Sequence, residues 1–539
     1  MKSPEECRRL VQESFRMEGK TAFAAVAVTG LLIHLPMMVR DIPNHDGLAS
    51  MHFDQNMLTS GRWFLMAACG VSSYYTLPWL IGLLALLYLS LTGVVLTEFL
   101  GLRRKSSIIL VGGLLAAFPA AASLFAYVYT MDGYMLGLFL AVLAVFLTRK
   151  YPLGFVGGGV CLAFSLGIYQ AYLPFAALLS LYGMVMLVME GGGGLVKKSL
   201  RYVWMGGIGM ALYVGILWIL LNIQDKELAS YQGISGMEAW AGGTLAQKSA
   251  PARVASVYRD FVSFTFKGNV LFRNAPSVCA FALLALLAAA AWLNWRKRKP
   301  WRKKLGVFLP LSVLAAMVPV AANLALLVSP GLSYHLLMRY QWVLFPILLI
   351  AFAERYGEPP GAGERAETAK ACVEDGAAKG GRASLRAWLL LLGGAVLVFH
   401  YAVTDQIAYS NLQKRYEKTY AYALRLLDRI EQTPGYYQGI PVAMVGVVGE
   451  DSYPVTDITL PVTANMIGMN GDSLLYTGAN YREFLKHYLG ASLHILPPEA
   501  MADIYYSQEY VEMGSFPAAD STKVVEGILY VKTENADRE

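Results

Sequence analysis

The sequence predicts a mainly α-helical membrane protein that crosses the bilayer many times and carries a small α/β domain at its carboxyl end. Composition is the first reason: 56% of the 539 residues are hydrophobic and 15% are charged, with a mean hydropathy of +0.44. Soluble domains average about 45–50% apolar and about 25% charged residues. The second reason is that the apolar residues lie in long runs. The same numbers exclude a disordered chain, and five cysteines are too few for a disulfide scaffold.

The apolar runs predict about eleven transmembrane helices, because a helix needs about 20 mostly apolar residues to cross the hydrocarbon layer. The runs lie at 21–39, 78–100, 107–128, 132–148, 153–171, 173–189, 202–222, 276–295, 305–328, 337–353 and 387–404. The runs 132–148 and 153–171 are the weakest of them, since short segments of this kind also occur as re-entrant loops.

Basic residues predict the orientation of these helices in the cell membrane. The clusters at 103–105, 149–150, 197–201 and 296–304 each follow an even-numbered run, so all of them can face the cytoplasm, where short loops are rich in Lys and Arg. The predicted order is a cytoplasmic interfacial helix at 1–20, a transmembrane domain at 21–406 with outer loops 40–77 and 223–275 and a flexible cytoplasmic loop 354–386, and an extracytoplasmic domain at 407–539.

The segment 407–539 has the pattern of a small folded α/β domain. Good helix formers fill 411–431, and a second helix is expected at 481–488. Strand-like runs occur at 441–448, 492–496 and 528–531. We therefore expect a small mixed domain on the outer face.

Several kinds of chemistry are missing from the sequence. It has no Walker phosphate loop, no dinucleotide-binding glycine motif and no H-E-x-x-H zinc pattern, so a nucleotide-driven pump is not expected. The basic clusters follow the topology rule, so no nucleic-acid partner is predicted. No cofactor or metal is predicted, although a divalent metal stays an allowed alternative. The apolar runs carry few ionisable residues, and the polar residues gather at the predicted outer ends.

Polar and aromatic residues at those outer ends form a candidate site for moving a sugar from a lipid phosphate to an acceptor. A carboxylate can deprotonate an acceptor hydroxyl, guanidinium groups hold phosphate oxygens, and aromatic rings stack against sugars. The candidate residues are Asp41, Asp46, Arg62, Trp63, Asp132, Tyr169, Gln170, Tyr334, His335 and Arg339.

Each of these residues also has a purely structural interpretation. Asp46 could cap a helix that starts near Gly47, and Asp132 could be a turn residue before a glycine. Arg62 and Arg339 could reach lipid headgroups, and the aromatic residues could be interfacial anchors.

Several motifs, taken in their order along the chain, resemble the GtrII-like glucosyltransferase family. They are N-x-D-G followed by S-G-R-W after the first run, the Y-x-M-D-G-Y turn, S-L-G-I-Y-Q-A-Y-L-P, M-R-Y before a late run, and the stretch 510–531. The resemblance implies a GT-C type transferase that takes glucose from undecaprenyl phosphate and adds it to O-antigen or another surface glycan. It also implies that the catalytic acidic residue lies in the first outer loop, as Asp46 or alternatively Asp41, with Asp132 in the second.

The expected mechanism uses Asp46 or Asp41 as the base and Arg62 and Arg339 as the groups that stabilise the departing phosphate. Asp132 would position the acceptor or support a metal. Two alternatives remain at this stage: a flippase or polymerase for lipid-linked glycans, and a non-enzymatic membrane scaffold. A shared outer cavity for Asp46, Asp132 and Arg339 would favour transfer over a scaffold.

Overall fold

The structure is a computed structural model. It describes residues 17–44, 46–48, 57–191, 194–229, 250–297, 301–328, 333–357, 377–445, 460–463, 465–466, 469, 474–475 and 478–533. The predicted interfacial helix at 1–20 lies outside the described residues except for 17–20, which begin the first helix.

Helices make up most of the described chain. In order they are α1 Met17–Val39, α2 Leu65–Gly70, α3 Pro78–Leu100, α4 Lys105–Ala117, α5 Pro119–Phe125, α6 Met131–Lys150, α7 Gly154–Ile168, α8 Leu173–Glu190, α9 Leu195–Ile223, α10 Ala250–Lys267, α11 Ala275–Lys297, α12 Trp301–Ala322, α13 Leu324–Val328, α14 Leu344–Gly357 and α15 Ala377–Glu431. Prolines at the first or second position start α3, α5 and α8, where a missing N–H costs nothing.

Every predicted apolar run coincides with helix, and the protein is a polytopic helical membrane protein. Within the described residues, seven helices are long and apolar enough to cross a membrane, or eight if the bent pair α4 and α5 is one span. This number is smaller than the predicted eleven. The other three predicted runs fall in shorter apolar helix, namely α7 with 15 residues, α14 with 14 and the stretch Val307–Ala322 of α12, each shorter than the roughly 20 residues that a complete crossing needs.

The bend between α4 and α5 is 47° and has a local cause at Pro119. Proline has no N–H, so it cannot donate to the carbonyl of Leu115 four residues earlier, and the hydroxyl of Tyr340 donates to that carbonyl instead. His34 Nε2 donates to the next carbonyl, that of Ala116 (2.9 Å). Side chains of two other helical segments therefore satisfy the backbone groups that the break exposes, as a membrane interior requires.

One end of the helix bundle, which we call the basic end, carries linked ion pairs. Arg103 pairs with Glu18 (3.0 Å), Lys150 with Glu98 (2.7 Å), and Arg355 with Glu190 (2.7 Å). These pairs join the starts and ends of α1, α3, α6, α8 and α14. The predicted basic clusters at 103–105 and 149–150 therefore lie at the same end of the bundle.

The opposite end, which we call the domain end, carries the C-terminal domain. Its strands are β1 Pro441–Val445, β2 His494–Ile495, β3 Thr522–Val525 and β4 Ile528–Lys532, in the order β2-β1-β4-β3. Strand β1 is parallel to both neighbours, and β3 pairs antiparallel with β4. The helices that follow α15 are α16 Leu460–Thr463, α17 Gly478–Leu489, α18 Pro498–Tyr505 and α19 Gln508–Glu512.

The sheet of this domain is covered on both faces. Val442 and Met444 of β1 pack into a cluster with residues of α15 and α17, whereas Ala443 packs with residues of α18 and α19. The predicted α/β character is confirmed, and three of the four strands overlap the predicted runs. Strand β3 was not predicted; it is joined to β4 by Glu526 and Gly527, which both have positive φ (49° and 79°) as tight hairpin turns require.

The long helix α15 joins the two parts of the molecule. It runs for 55 residues without interruption and contains both the predicted last span, 387–404, and the predicted helix 411–431. The predicted domain boundary at 406/407 thus lies inside one helix.

Candidate active site

Gly61 brings the chain that carries Arg62 against Gln170. Gly61 has φ +75°, and a Cβ there would lie 2.6 Å from both Gln170 Nε2 and Tyr213 Oη. Gln170 Nε2 donates to the Ser60 carbonyl (2.9 Å) and to Tyr213 Oη (3.0 Å). Tyr213 Oη donates in turn to the Gly61 carbonyl (3.1 Å). Gln170, predicted to contact substrate, is placed so that it holds this segment.

Trp63 locks the same segment onto α7. The backbone N–H of Phe64 donates to the Gly167 carbonyl (2.8 Å), and a Cβ at Gly167 would lie 2.6 Å from Trp63 Cε2. The Trp63 ring also makes an edge contact with Phe164, at 5.4 Å between centroids. Glycine at 167 therefore permits the close approach of Trp63.

Arg62 lies among tyrosines at the domain end. Its Nη1 donates to Tyr134 Oη (3.3 Å), and its guanidinium carbon lies 5.2 Å from the centroid of the Tyr169 ring. The rings of Tyr134 and Tyr169 are 4.8 Å apart, and Tyr169 is buried. The tyrosines thus form a rigid support for a partly exposed cation.

Asp46 is exposed on a tight turn. The N–H of Gly47 donates to Asn44 Oδ1 (2.7 Å) and to the Asn44 carbonyl (3.1 Å), which closes the turn. Asn44 and Gly47, on either side of Asp46 in this turn, line a cleft together with Tyr129, and Arg62 donates to Tyr134 Oη, five residues further along the chain. A carboxylate and a guanidinium therefore share one neighbourhood.

Asp41 lies on the rim of the same region and contacts the C-terminal domain. Tyr488 Oη donates to Asp41 Oδ2 (3.2 Å). Part of the Asp41 side chain is exposed, yet the protein atoms packed around its carboxylate raise the pKa of Asp41, while the Tyr488 hydrogen bond and the nearby His487 oppose that rise. Beside it is a small cleft, open to solvent, with Asn44 and Tyr129 in its lining.

Asp132 is buried at the start of α6. Its carboxylate accepts hydrogen bonds from Ser72 Oγ (2.7 Å) and from the N–H of Gly133 (2.8 Å), and a negative charge is favourable in the first turn of a helix. Only 1% of the residue is exposed. These contacts are typical of a residue that begins a helix. That Asp132 positions the acceptor or supports a metal stays a prediction.

Arg339 forms an ion pair with Asp260 of α10. Its Nη1 and Nη2 donate to the two carboxylate oxygens of Asp260 (2.7 and 3.0 Å), and its Nε donates to the Tyr334 carbonyl (2.9 Å). The guanidinium also lies over the Phe264 ring, 4.2 Å from its centroid. Only 5% of Arg339 is exposed, so a phosphate could bind it only by displacing Asp260.

Tyr334 and His335 precede Arg339 and belong to the same group. Tyr334 Oη donates to the Ala322 carbonyl (3.3 Å) and accepts from Gln341 Nε2 (2.7 Å). His335 is partly buried, and its carbonyl accepts from the N–H of Met338 (3.1 Å). The group is thus built mainly of internal hydrogen bonds.

The structure gathers the candidate residues into two neighbouring groups and one buried position. The first group contains Asp41, Asp46, Arg62, Trp63, Tyr169 and Gln170; the second contains Tyr334, His335 and Arg339; Asp132 stands apart in its own hydrogen bonds. The Tyr169 ring contacts that of Tyr172 (5.5 Å between centroids), and Phe175 stacks on Tyr340, which follows Arg339 (6.0 Å), so the two groups are linked through the start of α8. Across the described ranges, no three His, Cys, Asp or Glu side chains are close enough to hold a metal.

Comparison with known proteins identifies the family. The family model described as Glucosyl transferase GtrII matches residues 35–349, more than half of the 539-residue chain. The chain belongs to this family. No curated protein and no solved structure gave a significant match.

The match confirms the GtrII resemblance, and it contains all ten candidate residues. The part of the chain that follows residue 349, including α15 and the C-terminal domain, lies outside it. The GtrII match assigns no role to any single residue.

Sequence reasoning missed several residues of this GtrII family member. Tyr134 stood out only as part of the Y-x-M-D-G-Y turn, Tyr213 was not singled out, and Tyr488 lies in a segment with no catalytic pattern. Asp405 was missed because the last span was ended at 404; it is fully buried in α15, and neither carboxylate oxygen has a hydrogen-bond partner among the described residues. The absence of Gly and Pro between 404 and 431 was the signal that this helix continues.

Proposed function

We propose that this membrane glucosyltransferase family member transfers a sugar, most consistent with glucose, from a polyprenyl-phosphate donor to a cell-surface glycan such as O-antigen or a wall polymer. The reaction is proposed for the outer face of the cell membrane, with the domain end outside and the basic end in the cytoplasm. The distribution of Lys and Arg supports this orientation.

The observation that supports transfer most directly is the proximity of Asp46 and Arg62. The turn that carries Asp46 lines a cleft with Tyr129, Arg62 donates to Tyr134, and Asp46 is exposed. A proton acceptor beside a phosphate-binding cation is what attack by a hydroxyl on a sugar phosphate needs.

In the proposed reaction the acceptor hydroxyl oxygen forms a bond to the anomeric carbon, and the bond from that carbon to the phosphate oxygen breaks. The hydroxyl proton passes to Asp46, or to Asp41 in the alternative assignment. The donor phosphodiester carries one negative charge and leaves as a monoester with one more. Arg62 would stabilise this additional charge, which develops in the transition state and so contributes to the rate.

The donor tail would lie against apolar helix surface, and Tyr169 and Trp63 would contribute indirectly by holding Arg62. Arg339 would act with Asp260 to hold α10 against the bundle, next to the reacting groups. No metal is included in this proposal.

The test measures transfer in membranes supplied with labelled polyprenyl-phosphate glucose and acceptor. We expect Asp46→Asn, or Asp41→Asn if that residue is the base, to lower the rate on the order of 10²-fold or more, because amide nitrogen and oxygen cannot take the proton. Asp503→Asn is the matched control, since Asp503 is exposed on α18 of the outer domain.

Full activity in both Asp46→Asn and Asp41→Asn would contradict the assignment. Movement of intact lipid-linked glycan across the membrane without sugar transfer would favour the flippase alternative. If the protein shows neither sugar transfer nor glycan movement but binds a protein partner stably, the scaffold alternative would be favoured.

A further inference from the structure

We propose that the C-terminal domain is part of the transfer site, because it holds the first loop, residues 41–48, in place through Leu48 and Tyr488. In this proposal Tyr488 is a positioning residue for Asp41. The inference rests on the proposed function for its catalytic meaning, and on contacts between distant parts of the chain for its structural basis.

Leu48 anchors one end of the loop. It is 1% exposed and belongs to a hydrophobic cluster whose other described buried members all come from residues 422–531, among them Leu426 and Phe484. The side chain of Leu48 thus completes a hydrophobic cluster whose other buried members lie more than 370 positions later in the sequence. Burial of this apolar side chain favours the docked arrangement.

Tyr488 anchors the other end. Its hydroxyl donates to Asp41 Oδ2 (3.2 Å), and its ring is fixed by an edge contact with Tyr416 of α15 (5.4 Å) and by packing on Phe484 (5.0 Å). A phenol held by two aromatic neighbours has little freedom to leave its partner. Asp41 is therefore oriented by a side chain of the domain.

The turn between the anchors carries Asp46. Because Asn44 and Gly47 close this turn with two hydrogen bonds, the position of Asp46 follows from the positions of Asp41 and Leu48. Both candidate bases thus depend on the docked domain, whichever of them takes the proton.

The charged and titratable groups around Asp41 determine the pH test. Tyr488 and His487 face it from α17, with His487 itself paired to Glu483 (3.2 Å), and Tyr416 faces it from α15. The Tyr488 hydrogen bond stabilises the charged carboxylate and so lowers the pKa of Asp41. Its removal should raise that pKa, and the acid limb of the rate profile should move to higher pH.

The first experiment measures transfer against pH for the full-length protein in lipid nanodiscs. We expect Tyr488→Phe to lower kcat on the order of 10-fold or more with little change in KM; if Asp41 is the base, the acid limb also moves up by about one pH unit, as the loss of a hydrogen bond to a charged group predicts. Tyr437→Phe is the control, because Tyr437 is an exposed tyrosine of the same domain. An acid limb and a kcat equal to those of Tyr437→Phe would overturn the role of Tyr488.

The second experiment measures hydrogen exchange of the backbone amides at 41–48 and does not depend on activity. We expect faster exchange in Leu48→Ala and recovery in Leu48→Met, which restores volume. Leu424→Ala is the control, since Leu424 is exposed on α15. If the amides exchange equally fast in Leu48→Ala and Leu424→Ala, the proposed docking is wrong. If the wild-type protein has no transfer activity, the proposed function is wrong, but the exchange result still tests the docking.

Discussion

At the scale of single residues, Arg62 shows how packing decides which charged group is free to act. Its hydrogen bond to Tyr134 and its position over Tyr169 leave it partly exposed. Arg339 has the same charge but places both terminal nitrogens on Asp260. Two arginines that looked equivalent in the sequence therefore differ in what they can bind.

The substitution Arg62→Lys tests the first of these roles. Lysine keeps the charge but loses the planar fork that binds phosphate oxygens in pairs, so we expect kcat to fall on the order of 10²-fold. The measurement is steady-state transfer with a polyprenyl-phosphate donor, and Arg482→Lys is the control because Arg482 is largely exposed. A rise in KM alone would show that Arg62 binds donor and transition state equally, against the proposed role.

The same residues show what the sequence could and could not reveal about the site. Motif order led to Asp46, Arg62 and Gln170, and the structure places these residues in one region. The sequence could not reveal that Gln170 donates to the Ser60 carbonyl or that Arg339 pairs with a residue 79 positions away. Such contacts depend on how helices pack, and the spacing of residues along the chain does not specify that.

At the scale of elements, the break at Pro119 is where helix geometry and distant side chains depend on each other. Apolar length alone predicted one span at 107–128, because hydropathy does not register a bend. The exposed carbonyls at Leu115 and Ala116 are then bound by Tyr340 and His34. His34 also faces the Tyr409 hydroxyl at 2.6 Å from its Nδ1, so the break connects four helical segments.

A double-mutant cycle tests this account. Tyr340→Phe should lower the free energy of unfolding by about 1–3 kcal/mol, because the Leu115 carbonyl loses its donor. In a Pro119→Ala background the new N–H can bond to that carbonyl, so the same change should cost less. The measurement is thermal or denaturant unfolding in detergent. The control is Tyr258→Phe, which removes a hydrogen bond to Ala316 on another helix and should lower the free energy of unfolding equally in both backgrounds. If Tyr340→Phe also lowers it equally in both backgrounds, the account is wrong.

At the scale of the whole molecule, composition and hydropathy predicted the helical membrane class, and periodicity predicted the small α/β domain. Seven or eight described helices are long and apolar enough to cross a membrane, whereas α7 and α14 are apolar but shorter, so the count of about eleven spans stays a prediction. Contacts between the first loop and the C-terminal domain were beyond sequence reasoning, since nothing near Leu48 or Tyr488 marks them as partners.

Orientation in the membrane can be tested on whole cells. In a cysteine-free background, a membrane-impermeant maleimide should label Tyr437→Cys in intact cells and should label Lys197→Cys only after the membrane is opened. The expected pattern follows from the basic clusters, which favour the cytoplasm. The opposite pattern would contradict an outer-face reaction.

The uninterrupted helix α15 limits how the molecule can move. At 1.5 Å per residue, 55 residues span about 80 Å, far more than the roughly 30 Å of a bilayer core. The same helix therefore continues from the transmembrane part into the C-terminal domain, where Leu426 and Ile430 are buried in the domain's hydrophobic cluster. The transmembrane part of α15 packs on α4 and α5. A tilt of the domain would therefore either bend α15 or displace this packed part and change its contacts at the Pro119 bend.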